Sequence, residues 1–470
     1  MPRQMTGRIL SRTESVCPVC LRRIPANRVQ YGDDVYLEKI CEEHGTFRAV
    51  IWRGNNPSFE AWASQALIVS APIVQAETIG RGCPFDCGLC PEHRQQTCCV
   101  LLEVTSRCNL HCPVCFAQSG EGEYFDPTMR EIESWYEKLM VSGGPFNIQL
   151  SGGEPTVRDD LPEIVALGRA KGFPYIQLNT NGLRLAEEPD YARRLKEAGL
   201  SCVFLQFDGT KNDITRKIRD RELCEWKRRA IDVCGELELG VILAVTVVPG
   251  VNDENIGEIV NFAMERMPVV RGVHFQPISY FGRYPKAPAD ADRITLPEVM
   301  RAIERQTNGL IPASSLHPRK AENPYCSFQG NYVRGADGKL KSWASSSSGA
   351  CCGAATVDGT KRAREFVARK WTMPERDAVA SNHPGCEGES CAGMIDTGSL
   401  DAFLERMERY SFCISGMPFQ DVWTLDLGRL RQCFVHVVSP AGRIIPFCAY
   451  NLTSCDGQSL YRPSLGKTEE

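Results

Sequence analysis

The sequence predicts an α/β fold around six short parallel strands, arranged as a doubly wound sheet or an incomplete (β/α) barrel. A metal-binding segment precedes it and a cysteine-rich extension follows. Two observations carry this. Between residues 99 and 278 six apolar runs alternate with helical stretches, which is the pattern of βαβ units. Cysteine, 23 in 470 residues, comes in tight groups at the strand ends and outside the regular stretch. The rest is ordinary, 24% charged and 43% hydrophobic, which excludes disorder, collagen-like repeats and coiled coil as the main architecture.

So many cysteines imply disulfides or metals. Residues 1–15 are polar and lack the apolar stretch of a signal peptide. No apolar run reaches the roughly 18–20 residues of a membrane span; Ala66–Val74 and Gly240–Val251 are too short and contain proline. A cytoplasmic protein with reduced thiols is the expectation, and metal is the better reading. A formal charge of -4 provides no basic field, so nucleic acid is not an expected partner.

The first segment, 1–60, carries Cys17-Pro-Val-Cys20 and Cys41-Glu-Glu-His44, a spacing that closes one tetrahedral site. Val29–Ile40 reads as a hairpin around Gly32-Asp33-Asp34. Zinc and a rubredoxin-like iron both accept such ligands. Residues 61–98 read as a linker. Its Cys83, Cys87 and Cys90, in C-x3-C-x2-C spacing, lie on a loop marked by Gly82 and Pro84, which suits an auxiliary cluster with a fourth ligand from elsewhere.

The barrel segment, 99–310, has strands expected at Cys99–Val104, Phe146–Leu150, Tyr175–Leu178, Cys202–Phe207, Gly240–Val248 and Gly272–Phe275. Helices are expected at Pro127–Val141, Asp159–Lys171, Asp190–Ala198, Glu222–Leu239, Glu254–Met267 and Leu296–Thr307. The polar and glycine-rich motifs follow the strands, at the end where α/β proteins put their chemistry. After the first strand, Cys108, Cys112 and Cys115 repeat the C-x3-C-x2-C spacing. Three thiolates on one loop hold three irons of a [4Fe–4S] cluster and leave the fourth open to a chelating ligand. The second strand ends in Ser151-Gly152-Gly153-Glu154-Pro155, whose glycines allow close backbone approach and whose carbonyls and Glu154 suit an ammonium group. Cys202, Cys224 and Cys234 read as core thiols.

The extension, 311–470, reads as loops, including Cys351-Cys352, then a helical pattern over 400–410 and a hairpin of Phe434–Val438 and Ile444–Phe447. Cys326, Cys433 and Cys448 are spread as ligands gathered by folding would be, and Cys386 and Cys391 are further candidates.

The two barrel motifs together resemble the radical S-adenosylmethionine (SAM) superfamily. The resemblance implies a six-stranded partial (β/α) barrel in which the three cysteines hold the cluster and SAM chelates its open iron. The Gly-Gly-Glu-Pro motif would meet the methionine ammonium. One electron would cleave SAM to a 5′-deoxyadenosyl radical that abstracts hydrogen from substrate. Asn179, Asn181, Gln206, Asp208 and Gln276, at later strand ends, would supply further contacts to SAM or substrate. More narrowly, CPVC…CEEHG, GCPFDCGLCPEH, VTSRCNLHCPVCFA, SGGEPTVRDDL, FQPISYFGR and HVVSPAGRIIPFCAYNLT look like the subfamily of tetraether lipid synthases and the methanogen dihydropterin methylase. That implies a mononuclear iron or zinc site at Cys17, Cys20, Cys41 and His44. It also implies auxiliary [4Fe–4S] clusters at Cys83, Cys87 and Cys90 and at Cys326, Cys433 and Cys448. Glu42 departs from the family's proline; Cys98, Cys99, Cys413 and Cys455 have no family role.

The implied activity is C–C bond formation at an unactivated carbon. Coupling of lipid chains is the expectation, because no feature reads as a dedicated pterin clamp; radical methylation of a pterin-type molecule is the alternative. Expected partners are a lipid or small-molecule substrate and an electron donor such as a ferredoxin or flavodoxin, with peripheral membrane contact if the substrate is lipid. A multi-cluster electron carrier has no use for an open iron or for the Gly-Gly-Glu-Pro loop.

Overall fold

The structure, a computed structural model, describes residues 7–64, 69–73, 79–120, 124–335, 338–342, 359–374 and 406–462. The chain opens with a four-stranded antiparallel sheet of β1 (Arg8–Val16), β2 (Arg23–Tyr31), β3 (Asp34–Cys41) and β4 (Gly45–Trp52), in that order. The expected hairpin is present: Tyr31 pairs with Asp34 across a two-residue turn, with Gly32 at φ 61°. Strands β1 and β4 were not expected.

The second sheet contains β5 (Cys99–Thr105), β6 (Asn147–Gly152), β7 (Ile176–Thr180), β8 (Cys202–Gln206), β9 (Gly240–Val247) and β10 (Val270–Pro277), parallel and side by side in chain order. Burial explains their legibility. In β9 every residue but Thr246 is buried, so the strand reads as an unbroken apolar run. The six expected helices form within a few residues of the expected bounds. The first, Met129–Val141, buries Ile132, Trp135, Tyr136 and Leu139 and starts in a Thr128–Glu131 capping box. Helices Leu183–Glu187 and Asn212–Arg219 were not expected.

The extension contributes to the same sheet. Strand β13 (Ser411–Gly416) pairs parallel with β10, and β11 (Phe328–Arg334) runs antiparallel beyond it, followed by β12 (Leu340–Ser342). At the other edge β14 (Val435–Val438) pairs parallel with β5 and antiparallel with β15 (Ile444–Pro446), the expected hairpin. The result is an eleven-stranded sheet of partial-barrel type. Of the pattern over 400–410, residues 406–409 are helical; 400–405 lie outside the described residues. Among the described residues no helix is long and apolar enough to cross a membrane.

The main core fills the space between this sheet and its helices. A second core joins Cys83, Cys87, Cys98 and Cys448 to Leu425, Leu430, Val437 and Phe447, so the cysteine-rich parts share one apolar interior.

Candidate active site and metal centres

A cavity of about 340 Å³ runs along the inner face of the sheet and over its C-terminal ends. Cys108, Cys112 and Cys115 line it from the loop after β5. Two backbone bonds seat that loop on the Gly-Gly-Glu turn: Gly153 N–H donates to Thr105 O (2.8 Å) and Glu154 N–H to Arg107 O (2.8 Å). A Cβ on Gly153 would overlap the Arg107 carbonyl, and Gly152 sits at φ +124°, so both positions require glycine. At its far end the loop pairs with Arg283 through Cys115 N–H to Arg283 O (2.9 Å) and Arg283 N–H to Cys115 O (3.0 Å). Burial pushes the Cys108 thiol up to about 12, so iron is the natural counter-charge for three thiolates placed here. Ser119 Oγ, buried beside them, has no hydrogen-bond partner among the described residues. This donor set and cavity fit a cluster and its chelating ligand.

Glu154 lines the cavity, but protein donors engage its carboxylate. Thr180 Oγ1 (2.6 Å), Thr156 Oγ1 (2.7 Å) and Thr156 N–H (3.1 Å) donate to one oxygen, and Asn181 N–H (2.6 Å) to the other. It ties the ends of β6 and β7 together. Pro155 opens the short 3-10 turn Pro155–Val157 and does not line the cavity. Asn179, Asn181, Gln206 and Gln276 all line it, and Asn181 Nδ2 donates to Asn109 Oδ1 (2.7 Å) in the cysteine loop.

Asp208 does not belong to the lining. Its carboxylate is 2% exposed and takes Arg219 bidentately (2.7 and 2.9 Å), and it is Arg219 that reaches the cavity, beside Cys112. Arg219 ends the unexpected helix Asn212–Arg219. The spacing of Ile214, Thr215 and Ile218, all buried, was the available signal for that helix.

The inner face below joins the expected Asn179, Gln206 and Gln276 to residues that sequence reasoning missed, Asn147, Gln149, Gln177, Phe204 and His274. Alternate residues of each strand point inward: Asn147 and Gln149, Gln177 and Asn179, Phe204 and Gln206, His274 and Gln276. Tyr175 OH donates to Gln177 Oε1 (3.1 Å), Gln177 Nε2 to Asn179 Oδ1 (2.7 Å), and Asn179 Nδ2 to Gln149 Oε1 (3.3 Å). The rings of Phe204 and Trp371 stack at 5.9 Å and 22°. Burial lowers His274 to about 3, so it is a neutral partner to Ser415 (2.8 Å). The signal was the period-two recurrence of amides inside apolar strands.

Three cysteine groups lie outside this cavity. The ligand atoms of Cys17, Cys20, Cys41 and His44 all fall within 4.8 Å of one another. His44 Nδ1 lies 3.4 Å from Cys41 Sγ and lowers that thiol to about 6. Cys83, Cys87 and Cys90 surround a small void with His93 and Arg431. Tyr461 braces this loop, accepting from Cys87 N–H (2.8 Å) and donating to Pro84 O (2.7 Å). Cys326, Cys433 and Cys448 are brought within electrostatic reach of one another, and burial raises all three thiols. Arg429 donates to Cys326 Sγ (3.5 Å) and Gln420 N–H to Cys448 Sγ (3.3 Å). Between these two groups the buried pair His93 and His436 meets, Nε2 to Nε2, at 3.2 Å. Cys98 and Cys99 line the main cavity. Cys202, Cys224, Cys234 and Cys413 are buried, while Cys455 is exposed. Cys351, Cys352, Cys386 and Cys391 lie outside the described residues.

Residues 102–263 match the model of the radical SAM superfamily, and residues 9–53 match that of the HMPTM N-terminal zinc ribbon domain. The chain is 32% identical over 94% of its length, and 93% of the relative's, to 7,8-dihydro-6-hydroxymethylpterin dimethyltransferase of Methanocaldococcus jannaschii. It is 31% identical to GTP 3′,8-cyclase of Nautilia profundicola over 37% of this chain and 55% of that protein. A crystal structure of Streptococcus suis SuiB bound to S-adenosylmethionine aligns with 46% of this chain and 48% of that one, at 14% identity and a TM-score of 0.37. Members of this superfamily use a [4Fe–4S] cluster and SAM and require an electron donor. With a relative at that identity along nearly its whole length, the chain belongs to the radical SAM superfamily, in the subfamily of the methanogen pterin dimethyltransferase.

Proposed function

We propose that this radical SAM enzyme methylates a small reduced heterocycle of the pterin type. The observation that carries the reading is the hydrogen-bonded row of Tyr175, Gln177, Asn179 and Gln149 on the cavity's inner face, beside the stacked Phe204 and Trp371. A pterin presents a flat ring edged with donors and acceptors, and convergent amides beside aromatic faces suit it. A hydrocarbon chain would leave the remaining donors and acceptors of those amides, beyond the bonds within the row, without a partner, at a cost of about 1–3 kcal/mol for each group so left. The end-to-end similarity to a pterin dimethyltransferase supports the same choice over the lipid coupling expected from sequence.

When bound, the cluster and SAM supply reductive cleavage of SAM and hydrogen-atom abstraction. In this reading Cys108, Cys112 and Cys115 hold the cluster. Gly152, Gly153, Asn179, Asn181, Gln206, Gln276 and Arg219 surround SAM, with Glu154 fixing the turn. Phe116, Phe281, Phe419 and Phe447, whose rings pack on one another over the cavity, exclude water from it. Cys17, Cys20, Cys41 and His44 hold a single metal, and the triads Cys83, Cys87, Cys90 and Cys326, Cys433, Cys448 hold auxiliary clusters. The electron comes from a ferredoxin or flavodoxin.

Expression in a bacterial host followed by mass analysis of its pterins tests the proposal. Pterins carrying added methyl groups are expected, and none with Cys112→Ala. Reconstituted protein should form 5′-deoxyadenosine from SAM and reductant, again lost in Cys112→Ala. Unmodified pterins alongside lipids with coupled chains would overturn the pterin reading.

A further inference from the structure

The cavity has a second end. The cysteine triad follows the C-terminus of β5, whereas Cys99, at the N-terminus of the same strand, lines the opposite end, about 20 Å away by strand rise. Arg319 enters there, on the segment leading to β11. It lies within electrostatic reach of Cys99 on β5, His274 on β10 and Cys413 on β13, so its guanidinium faces the interior of the sheet.

Among the described residues no carboxylate forms an ion pair or hydrogen bond with it, although Glu322 lies within its field. Its Nε is buried and finds no hydrogen-bond partner, and among the described residues it makes no ion pair. The thiols and the imidazole around it are neutral, because burial raises Cys99 and Cys413 and lowers His274. Glu322 feels its charge but accepts a hydrogen bond from Ser327, and burial raises its carboxyl to about 7. Along the described lining, Glu154 is the one carboxylate, and it is engaged by Thr156, Thr180 and Asn181. The other cations, Lys217 and Arg219, lie towards the triad on one helix, and Asp208 answers Arg219. A cavity of hydrogen-bonding amides thus ends in a forked cation that no described side chain hydrogen-bonds. Arg319 is half-buried, with its Nε shut off from solvent, and a guanidinium matches an oxyanion bidentately.

We infer that Arg319 forms an anion subsite of the substrate cavity, taking a phosphate or carboxylate borne by the substrate at the end remote from the cysteine triad. The ring that carries the anion rests on the pterin reading, whereas the subsite itself does not. A phosphorylated or carboxylated pterin would lay its ring along the amide row and its anion on Arg319.

Calorimetric titration of the cluster-loaded enzyme separates the two ideas, using 6-hydroxymethylpterin, its phosphate ester, pterin-6-carboxylate, phenyl phosphate and benzyl alcohol. At least one anionic pterin should bind the wild type about tenfold or more tighter than the neutral alcohol. Which anion gains more assigns phosphate or carboxylate. Arg319→Gln should bring the pair to within about twofold without weakening the alcohol, and Arg319→Lys should keep part of the preference. Equal binding by the wild type would overturn the subsite. So would a preference that survives Arg319→Gln, or an Arg319→Gln effect confined to the spectra of the clusters. If no pterin binds, phenyl phosphate decides. Arg319-dependent binding of it over benzyl alcohol retains the subsite and removes the pterin reading, and its failure removes both.

Discussion

Asp208 holds a full positive charge in place at the wall of the cavity. Burial works against the Arg219 charge, and the two bonds from Asp208 outweigh it. Asp208→Asn leaves the guanidinium buried and half-answered, at an expected cost of about 3–5 kcal/mol. Urea unfolding of anaerobic holoprotein should show it, together with weaker SAM binding. Gly153 makes a different demand: Gly153→Ala drives a methyl group into the Arg107 carbonyl and lifts the turn off the cysteine loop. About 1–3 kcal/mol of stability should be lost, and iron content should fall with it. At this scale the sequence was readable where chemistry sits in a short run. Cys108, Cys112, Cys115 and the two glycines announce themselves by spacing. Arg219 and Arg319 do not, because an arginine's meaning depends on whether a carboxylate meets it, and Asp208 is supplied by another element. Asp208 itself shows the converse, a polar strand-end residue whose partner was hidden.

The N-terminal ribbon buries apolar residues of its own, among them Val16, Val35, Leu37 and Trp52, and is also tied by polar bonds to the extension. Thr13 and Arg28 donate to Asp426 (both 2.8 Å), and buried Lys39 donates to Val422 O (2.7 Å) and Ser15 Oγ (2.9 Å). Residues 422–426 therefore anchor the ribbon to the extension. Cys17→Ser should release the single metal while the broad visible absorbance of the four-iron clusters persists; elemental analysis beside absorption spectra checks this. Loss of both together would contradict separate centres. Among the strands, β5 to β10 were legible because each is buried on both faces and bounded by a helix. Strand β13 is just as buried but stood next to a helical pattern, with no βαβ context to mark it. Strand β14 was read as half of a hairpin. Its second partner, β5, lies more than three hundred residues earlier, and no local pattern encodes that pairing.

Across the whole molecule the apolar interior sets the response to pH. Burial raises Glu322 from 4.5 to about 7, against the opposing pull of Arg319 and Ser327. Because the folded value lies above the unfolded one, its contribution is full below pH 4.5 and is lost as pH rises to 7. The loss is at most on the order of 3 kcal/mol. Glu322→Gln should therefore flatten the decline in stability between pH 5 and 8 and raise stability at pH 8, as followed by thermal unfolding. A variant with an unchanged slope would place the pH response elsewhere. The outer flanks of the sheet have a consequence in time. Chain order makes β5 among the first strands of its sheet to be synthesised and β14 among the last, and Tyr461, which braces Cys87, comes later still. Throughout most of translation the open side of β5 and the loop of Cys83, Cys87 and Cys90 remain uncovered. Until residues 435–461 have been made, that edge lacks the strand that pairs with it and that loop lacks the tyrosine that braces it.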